Sequence, residues 1–170
     1  MFDAAEAWSN NWAWSLPLIV LTVLAHAFGL AVIREQMVLR LSRRLGPHRT
    51  SFFLALLVAP IVLVLTVLHG IEAGAWAAAY VALGARPDFA SAMLYSLSAM
   101  TTFGHAEIFL ATHWRLMGAL EALNGMMLFG LTTAFLFAVI QRNWPTLGHS
   151  RHAGSAGRAT LATPRDHETR

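Results

Sequence analysis

Three long apolar stretches dominate the chain, and each is long enough to form a membrane-spanning helix. Residues 14–33 carry no formal charge, residues 52–83 are interrupted by ionisable side chains only at His69 and Glu72, and residues 116–140 contain a single carboxylate. Crossing a hydrocarbon core of about 30 Å takes roughly 20 helical residues at 1.5 Å each. The pattern therefore predicts an all-α membrane protein with three spanning helices.

A fourth helix is predicted between the second and third spans, over residues 88–100. The run Arg86-Pro87-Asp88 is typical of a helix start, since proline suits the first turn and an aspartate favours the positive end of the helix dipole. This helix is too short to cross the membrane, which suits a re-entrant element. Irregular backbone after it, at residues 102–107, is tolerated in a bilayer only where protein buries it or water reaches it.

Composition agrees with a membrane location, because 56% of the residues are hydrophobic and 12% are charged. The absence of cysteine excludes a disulfide framework and a thiolate metal site. All the basic residues are arginine, and most lie in residues 34–49 or after residue 141, next to apolar spans. We therefore expect contacts with anionic lipid head groups and no binding of nucleic acid.

The arginines also predict the topology. Three crossings place both arginine-rich segments on one side of the membrane, and the positive-inside rule makes that side cytoplasmic. We expect a multi-pass protein of the plasma or inner membrane, with its amino terminus outside. The predicted parts are an outer terminus with the first helix, a basic helical linker along the membrane surface, a segment that holds the other two spans and the short helix, and a disordered cytoplasmic tail: residues 1–33, 34–51, 52–144 and 145–170.

Residues 101–107, between the short helix and the third span, read Thr-Thr-Phe-Gly-His-Ala-Glu. This segment resembles the selectivity filter of the potassium-channel family, Thr-Thr-x-Gly-Tyr-Gly-Asp. The positions that match are Thr101, Thr102, Gly104 and the acidic Glu107, while the positions that differ are His105 in place of tyrosine and Ala106 in place of glycine. The order of outer helix, short helix, filter and glycine-bearing inner helix over residues 52–144 also resembles that family's two-transmembrane pore module.

The resemblance implies a homotetramer in which four filters surround one axis and backbone carbonyls replace an ion's hydration shell. It assigns the binding of a monovalent cation, K⁺ or Na⁺, to the carbonyls of Thr102, Phe103, Gly104 and His105. It implies no other cofactor and no enzymatic activity. Gly125 and Gly130 fall where the family's inner helix has its gating hinge, although close packing of small residues explains them equally well.

The departures from the family pattern predict reduced potassium selectivity. The filter backbone needs positive φ where Ala106 stands, and alanine there costs roughly 1–2 kcal/mol per chain relative to glycine. His105 lacks the bracing phenol of tyrosine and can become cationic near neutral pH. Phe103 places a bulky ring behind the carbonyls, where the family carries a small side chain.

Two ionisable residues of the second span suggest other functions. His69 and Glu72 lie at i and i+3, on one face of the helix, where they can brace the pore helix. Together with His105, Glu107 and His113, they could instead make a metal or proton site in a membrane protein of another class.

Two further interpretations stay open at the level of sequence, and one histidine has an expected role. The chain could be a pore-loop subunit that does not conduct, and residues 101–107 could be a plain extracellular loop. His26 stands alone in the first span, where we expect a hydrogen bond to a neighbouring helix.

Overall fold

The computed structural model describes residues 4–40, 51–104 and 108–143, and within these ranges the chain is built of helices joined by turns. The elements in chain order are α1 (Ala4–Ile33), a π-helical turn (Arg34–Val38), α2 (Ser51–Ala82), α3 (Phe89–Met100), a 3₁₀ turn (Thr112–Trp114) and α4 (Arg115–Asn143). The segments around α1, α2 and α4 are long and apolar enough to cross a membrane. The predicted all-α, multi-pass membrane protein is thereby confirmed.

The sequence predicted a helical extension of the first span, and the first residues of that extension pack in the helix bundle. We expected residues 34–49 to lie along the membrane surface, but Arg34–Val38 continues α1 without a break as a π-helical turn. Val38 is buried in a cluster with Leu57 and Ile61 of α2 and Val139 of α4, so it belongs to the helix bundle. Residues 41–50 lie outside the described residues, and a surface location stays a prediction for them.

The short helix α3 begins and ends where the sequence predicted, at well-formed caps. At its start, the Asp88 carboxylate accepts a hydrogen bond of 2.9 Å from the Ser91 amide, and hydrogen bonds from Ser91 lower the pKa of Asp88. At its end, the amides of Phe103 and Thr102 donate to the carbonyls of Ser98 and Ala99, each at 3.0 Å. This pair of bonds is a Schellman motif, which requires a left-handed residue after the helix.

Contacts with the long helices fix the depth of α3. The Ser96 hydroxyl donates to the Ala73 carbonyl at 2.8 Å, and Met100 packs against Ala73 and Leu128. Ala73 precedes the end of α2 at Ala82 by nine residues, which is about 14 Å of helix. The carboxyl end of α3 therefore lies beside the middle of the long helices rather than at their ends.

After the short helix, the chain returns to the level at which it left α2. The Ala111 amide donates to the Ala85 carbonyl at 3.3 Å, and the Arg86 guanidinium donates to the Phe109 carbonyl at 3.1 Å. Residues 85–111 therefore start and finish at one end of the bundle, with the end of α3 as their deepest described point.

Helix α1 faces α2 and α4 with a row of polar side chains. The buried members of this row are spaced by four and seven residues, which puts them on one face: Asn11, Ser15, Thr22 and His26. The Asn11 side chain accepts from the Met117 amide at 2.7 Å and donates to the His113 carbonyl at 2.6 Å. We did not predict this polar face, although its spacing is visible in the sequence.

The hydrogen bonds of Asn11 should make it important for attaching α1 to α4. Replacing Asn11 with alanine removes its hydrogen bonds to Met117 and His113 and should lower the free energy of unfolding by about 1–2 kcal/mol. The thermal midpoint of the purified protein in detergent measures the effect. Asn10→Ala is the matched control, because the neighbouring Asn10 is exposed and should change little. Equal midpoints for the two variants would refute the role of Asn11.

Candidate functional site

The residues that follow α3 form the candidate site, and they are exposed in the single chain. Thr101, Thr102, Phe103 and Gly104 are all exposed, and Phe103 has 87% of its surface uncovered. One chain alone does not cover the Phe103 ring, and its predicted packing behind the filter carbonyls stays a prediction. His105, Ala106 and Glu107 lie outside the described residues, and their predicted filter roles stay predictions.

The backbone of this segment alternates in handedness over its described part. Thr102 has φ of 56° and Gly104 has φ of 80°, with a negative-φ residue between them. Glycine adopts positive φ at no steric cost, but a β-branched residue rarely does, and the left-handed conformation costs roughly 1–2 kcal/mol. The Schellman motif imposes this conformation on Thr102, so the helix cap and the start of the candidate filter are one structure.

A buried carboxyl group on α4 holds the short helix in place. Glu121 is fully buried; one carboxyl oxygen accepts from the Tyr80 hydroxyl of α2 at 2.5 Å, and the other is within hydrogen-bond distance of the Ser96 hydroxyl of α3. Ser96 has one hydroxyl hydrogen, yet the Ala73 carbonyl and Glu121 are both within hydrogen-bond reach. Each group finds a partner if the Glu121 carboxyl carries a proton and donates to Ser96. The hydrogen-bond count therefore favours a neutral Glu121.

Glycines on α4 allow the short helix to approach closely. A Cβ atom on Gly125 would lie 2.6 Å from the Met100 Cα and closer still to its carbonyl oxygen, and one on Gly118 would overlap the Tyr95 hydroxyl. Gly130 has no neighbouring atom within 4 Å. The helix runs through both Gly125 and Gly130 without interruption, so the structure gives Gly125 a packing role. Their predicted role as a gating hinge stays a prediction.

The ionisable residues of α2 meet a histidine from α1. His26 Nδ1 lies 2.8 Å from Glu72 Oε1, and His69 Nδ1 lies 3.6 Å from Glu72 Oε2. The other ring nitrogen of His26 lies 3.0 Å from the Thr132 hydroxyl on α4, which confirms the hydrogen bonding predicted for His26. These contacts join the long helices to one another. Glu121 contacts Ser96 of the short helix, and support of that helix by His69 and Glu72 stays a prediction.

Two members of the alternative metal or proton cluster, His105 and Glu107, lie outside the described residues, and their part in it stays a prediction. Among the described residues, the histidines and carboxylates close enough to share a metal ion are His26, His69 and Glu72. His113 is not among them, and it lies in the 3₁₀ turn before α4. Sequence reasoning missed His26 as a member because helical spacing does not show which residues of two separate helices will meet.

Similarity to known proteins agrees with this geometry. Residues 61–142 match the family model described as "Ion channel". The matched segment starts within α2, contains α3 and the candidate site, and ends within α4. It confirms the predicted resemblance to the two-transmembrane pore module of potassium channels over residues 61–142. No curated protein and no solved structure shows significant similarity to the chain.

The close approach at Gly125 predicts the effect of adding a methyl group. Gly125→Ala should push Met100 away from α4 and destabilise the protein by about 1–3 kcal/mol, because backbone cannot yield as a side chain does. Gly130→Ala adds the same group where space is open and should be tolerated. Thermal unfolding of the two variants makes the comparison. A hinge role without packing would instead leave both variants as stable as the wild type.

The hydrogen-bond count at Glu121 predicts different outcomes for two substitutions of similar size. Glu121→Gln keeps an acceptor for Tyr80 and a donor for Ser96, so it should unfold within about 1 kcal/mol of the wild type. Glu121→Leu leaves the buried Tyr80 hydroxyl without this acceptor and should cost about 1–3 kcal/mol. Thermal or denaturant unfolding would show the difference. If glutamine were as harmful as leucine, an ionised Glu121 would be required.

Proposed function

We propose that four copies of the chain assemble into a potassium-channel-like cation pore that conducts K⁺ or Na⁺ with reduced potassium selectivity. One observation carries this proposal. The twelve-residue helix α3 ends beside the middle of the long helices, the exposed residues Thr101 to Gly104 follow it, and the chain then returns to the level of Ala85. This path is what a re-entrant pore loop requires.

The surroundings of the loop support assembly around an axis. Backbone at mid-membrane depth needs hydrogen bonds from protein or water, and the single chain leaves Thr101 to Gly104 exposed. On α3, Leu94 and Leu97 are 53% and 40% exposed, and they share a helical face with Thr101. Neighbouring copies in a homotetramer would cover this apolar face and enclose water at the centre.

The electrostatics of the loop suit a cation. The carboxyl end of a helix carries a partial negative charge, and α3 ends immediately before the candidate filter. Alternating backbone handedness at Thr102 and Gly104 is the conformation expected where successive carbonyls point toward one axis. We assign cation binding to the carbonyls of Thr102, Phe103, Gly104 and His105, with the last of these assigned from the family resemblance.

The reduced selectivity follows from residues that depart from the family. Ala106 and His105 replace a glycine and a tyrosine, and the 87% exposed Phe103 adds a ring that neighbouring copies must accommodate. Each of these changes occurs four times around the axis. We expect a wider and less rigid cation site than the family pattern gives.

Charge distribution supports one orientation in the membrane. The arginine-rich segments 34–49 and 142–170 would lie on the cytoplasmic side, against anionic lipid head groups, and the return segment 85–111 would start and finish outside. The pore loop would then enter from the outer surface, with the amino terminus on the same side.

Restoring the family pattern tests the assignment of the filter. His105→Tyr with Ala106→Gly should raise the preference for K⁺ over Na⁺ more than either change alone, because both act on one short stretch of backbone. Reversal potentials of currents through the purified protein, reconstituted in liposome membranes, measure the preference for K⁺ over Na⁺.

Two controls make this test decisive. Mass measurement in nanodiscs must first show that each variant is a tetramer, and a wild type without any tetramer would refute the proposed assembly. Ala111→Gly serves as a matched substitution outside the filter and should leave the preference unchanged. A double variant that assembles and conducts, yet is as unselective as the wild type, would count against the filter at residues 102–105.

A further inference from the structure

We propose that His26, His69 and Glu72 form a binding site for a divalent transition metal, with Zn²⁺ as the best fit, which joins α1 to α2 beside the pore module. His26 lies outside the segment that matches the ion-channel family, and the site shares no residue with the proposed filter. A metal ion bound there would cross-link α1 to α2 and so stabilise the contact of α1 with the pore module.

The three side chains have the right chemistry and nearly the right spacing. One potential ligand atom from each lies within 4.8 Å of the other two. Ligand atoms around tetrahedral zinc lie about 3.3–3.4 Å apart, given bonds of about 2.0–2.1 Å. His69 Nδ1 and Glu72 Oε2 are 3.6 Å apart, and the 2.8 Å hydrogen bond between His26 and Glu72 needs to lengthen only slightly. Imidazole and carboxylate are common ligands of zinc.

Unpaired buried atoms point to a missing partner in this cluster. Both ring nitrogens of His69 and the Oε2 atom of Glu72 are buried without a hydrogen bond. Buried polar atoms in proteins are nearly always paired, and intramembrane ionisable residues are especially costly when they are not. A metal ion bound to His69 and Glu72 would satisfy one nitrogen and the carboxylate oxygen together.

Two features of the surroundings suit a coordination site. The Thr132 hydroxyl contacts the second ring nitrogen of His26 at 3.0 Å and so fixes the orientation of the ring, as partners of metal-bound histidines usually do. A cavity of about 160 Å³ lies beside His69, lined also by Thr66, Phe129 and Thr132. It provides room for water as a fourth ligand.

Zinc binding to the purified full-length protein tests the proposal. Competition with a chromogenic chelator should show one Zn²⁺ per chain, and His69→Gln should weaken the affinity by about 100-fold or more. The described contacts give His69 no hydrogen bond, so this variant keeps the links from His26 to Glu72 and Thr132 and should fold. His113→Gln is the matched control, and its affinity should equal that of the wild type.

A spectroscopic measurement separates this site from metal bound elsewhere. Co²⁺ should give the visible bands of a four-coordinate ion in the wild type and in His113→Gln, and these bands should disappear in His69→Gln. Thr132→Val should keep the bands and weaken binding by about tenfold, since it removes only the orienting contact. Absence of metal binding to the folded wild type would overturn the proposal, and the three side chains would then interact only through hydrogen bonds and charge. Equal affinity and spectra in His69→Gln would also overturn it.

Discussion

The structure depends on holding a helix that is too short to cross the membrane. Twelve residues of α3 extend about 18 Å, whereas the hydrocarbon core is about 30 Å thick. Its last turn and the residues after it must therefore be stabilised by protein or water. Glu121 holds the middle of the helix through Ser96, and Gly125 lets the Met100 backbone reach α4. The Schellman cap then fixes the direction in which the chain leaves.

Helix α1 is hydrogen-bonded to the same long helices that hold α3. Lipid is as apolar as leucine, so helices in a bilayer gain little from the hydrophobic effect and associate through hydrogen bonds and close packing of small residues. Asn11 bonds the start of α4, Asn124 of α4 donates to Thr22 at 2.8 Å, and His26 bonds both Glu72 and Thr132. These contacts run along most of α1, which makes the chain one three-helix unit rather than a pore module with a separate anchor.

The sequence was enough to predict the helices but not their pairing. Length and charge pattern showed the three spans, and Asp88 with the preceding proline showed the start of α3. The partners of Glu121 and His26 depend on how each helix is rotated against its neighbours, which the period of a single helix does not determine. For Gly125, the same small residue suits either a hinge or a close contact, and only the position of Met100 distinguishes them. The polar face of α1 was readable from its spacing.

The same limit applies to the depth of α3. The length of α3 predicted that it could not cross the membrane. The position of its carboxyl end along the long helices follows instead from the Ser96 hydrogen bond to Ala73 and from the packing of Met100. The positive φ of Thr102 likewise follows from the cap and not from residue preference, since threonine disfavours that conformation. The resemblance to the potassium-channel filter predicted backbone strain at Ala106, which lies outside the described residues, and did not predict it at Thr102.

The central claim is that Thr102 faces an ion path at mid-membrane depth, and silver modification of single cysteines tests it directly. The chain has no cysteine of its own, so Thr102→Cys and Phe28→Cys each carry one thiol. Phe28, which is 72% exposed on α1, represents a side chain that faces lipid. Ag⁺ resembles K⁺ in charge and size and should modify the thiol at 102 quickly, more slowly when K⁺ is added, and the thiol at 28 hardly at all. A thiol at 102 that is as unreactive as the one at 28, or that reacts at a rate independent of K⁺, would contradict the account.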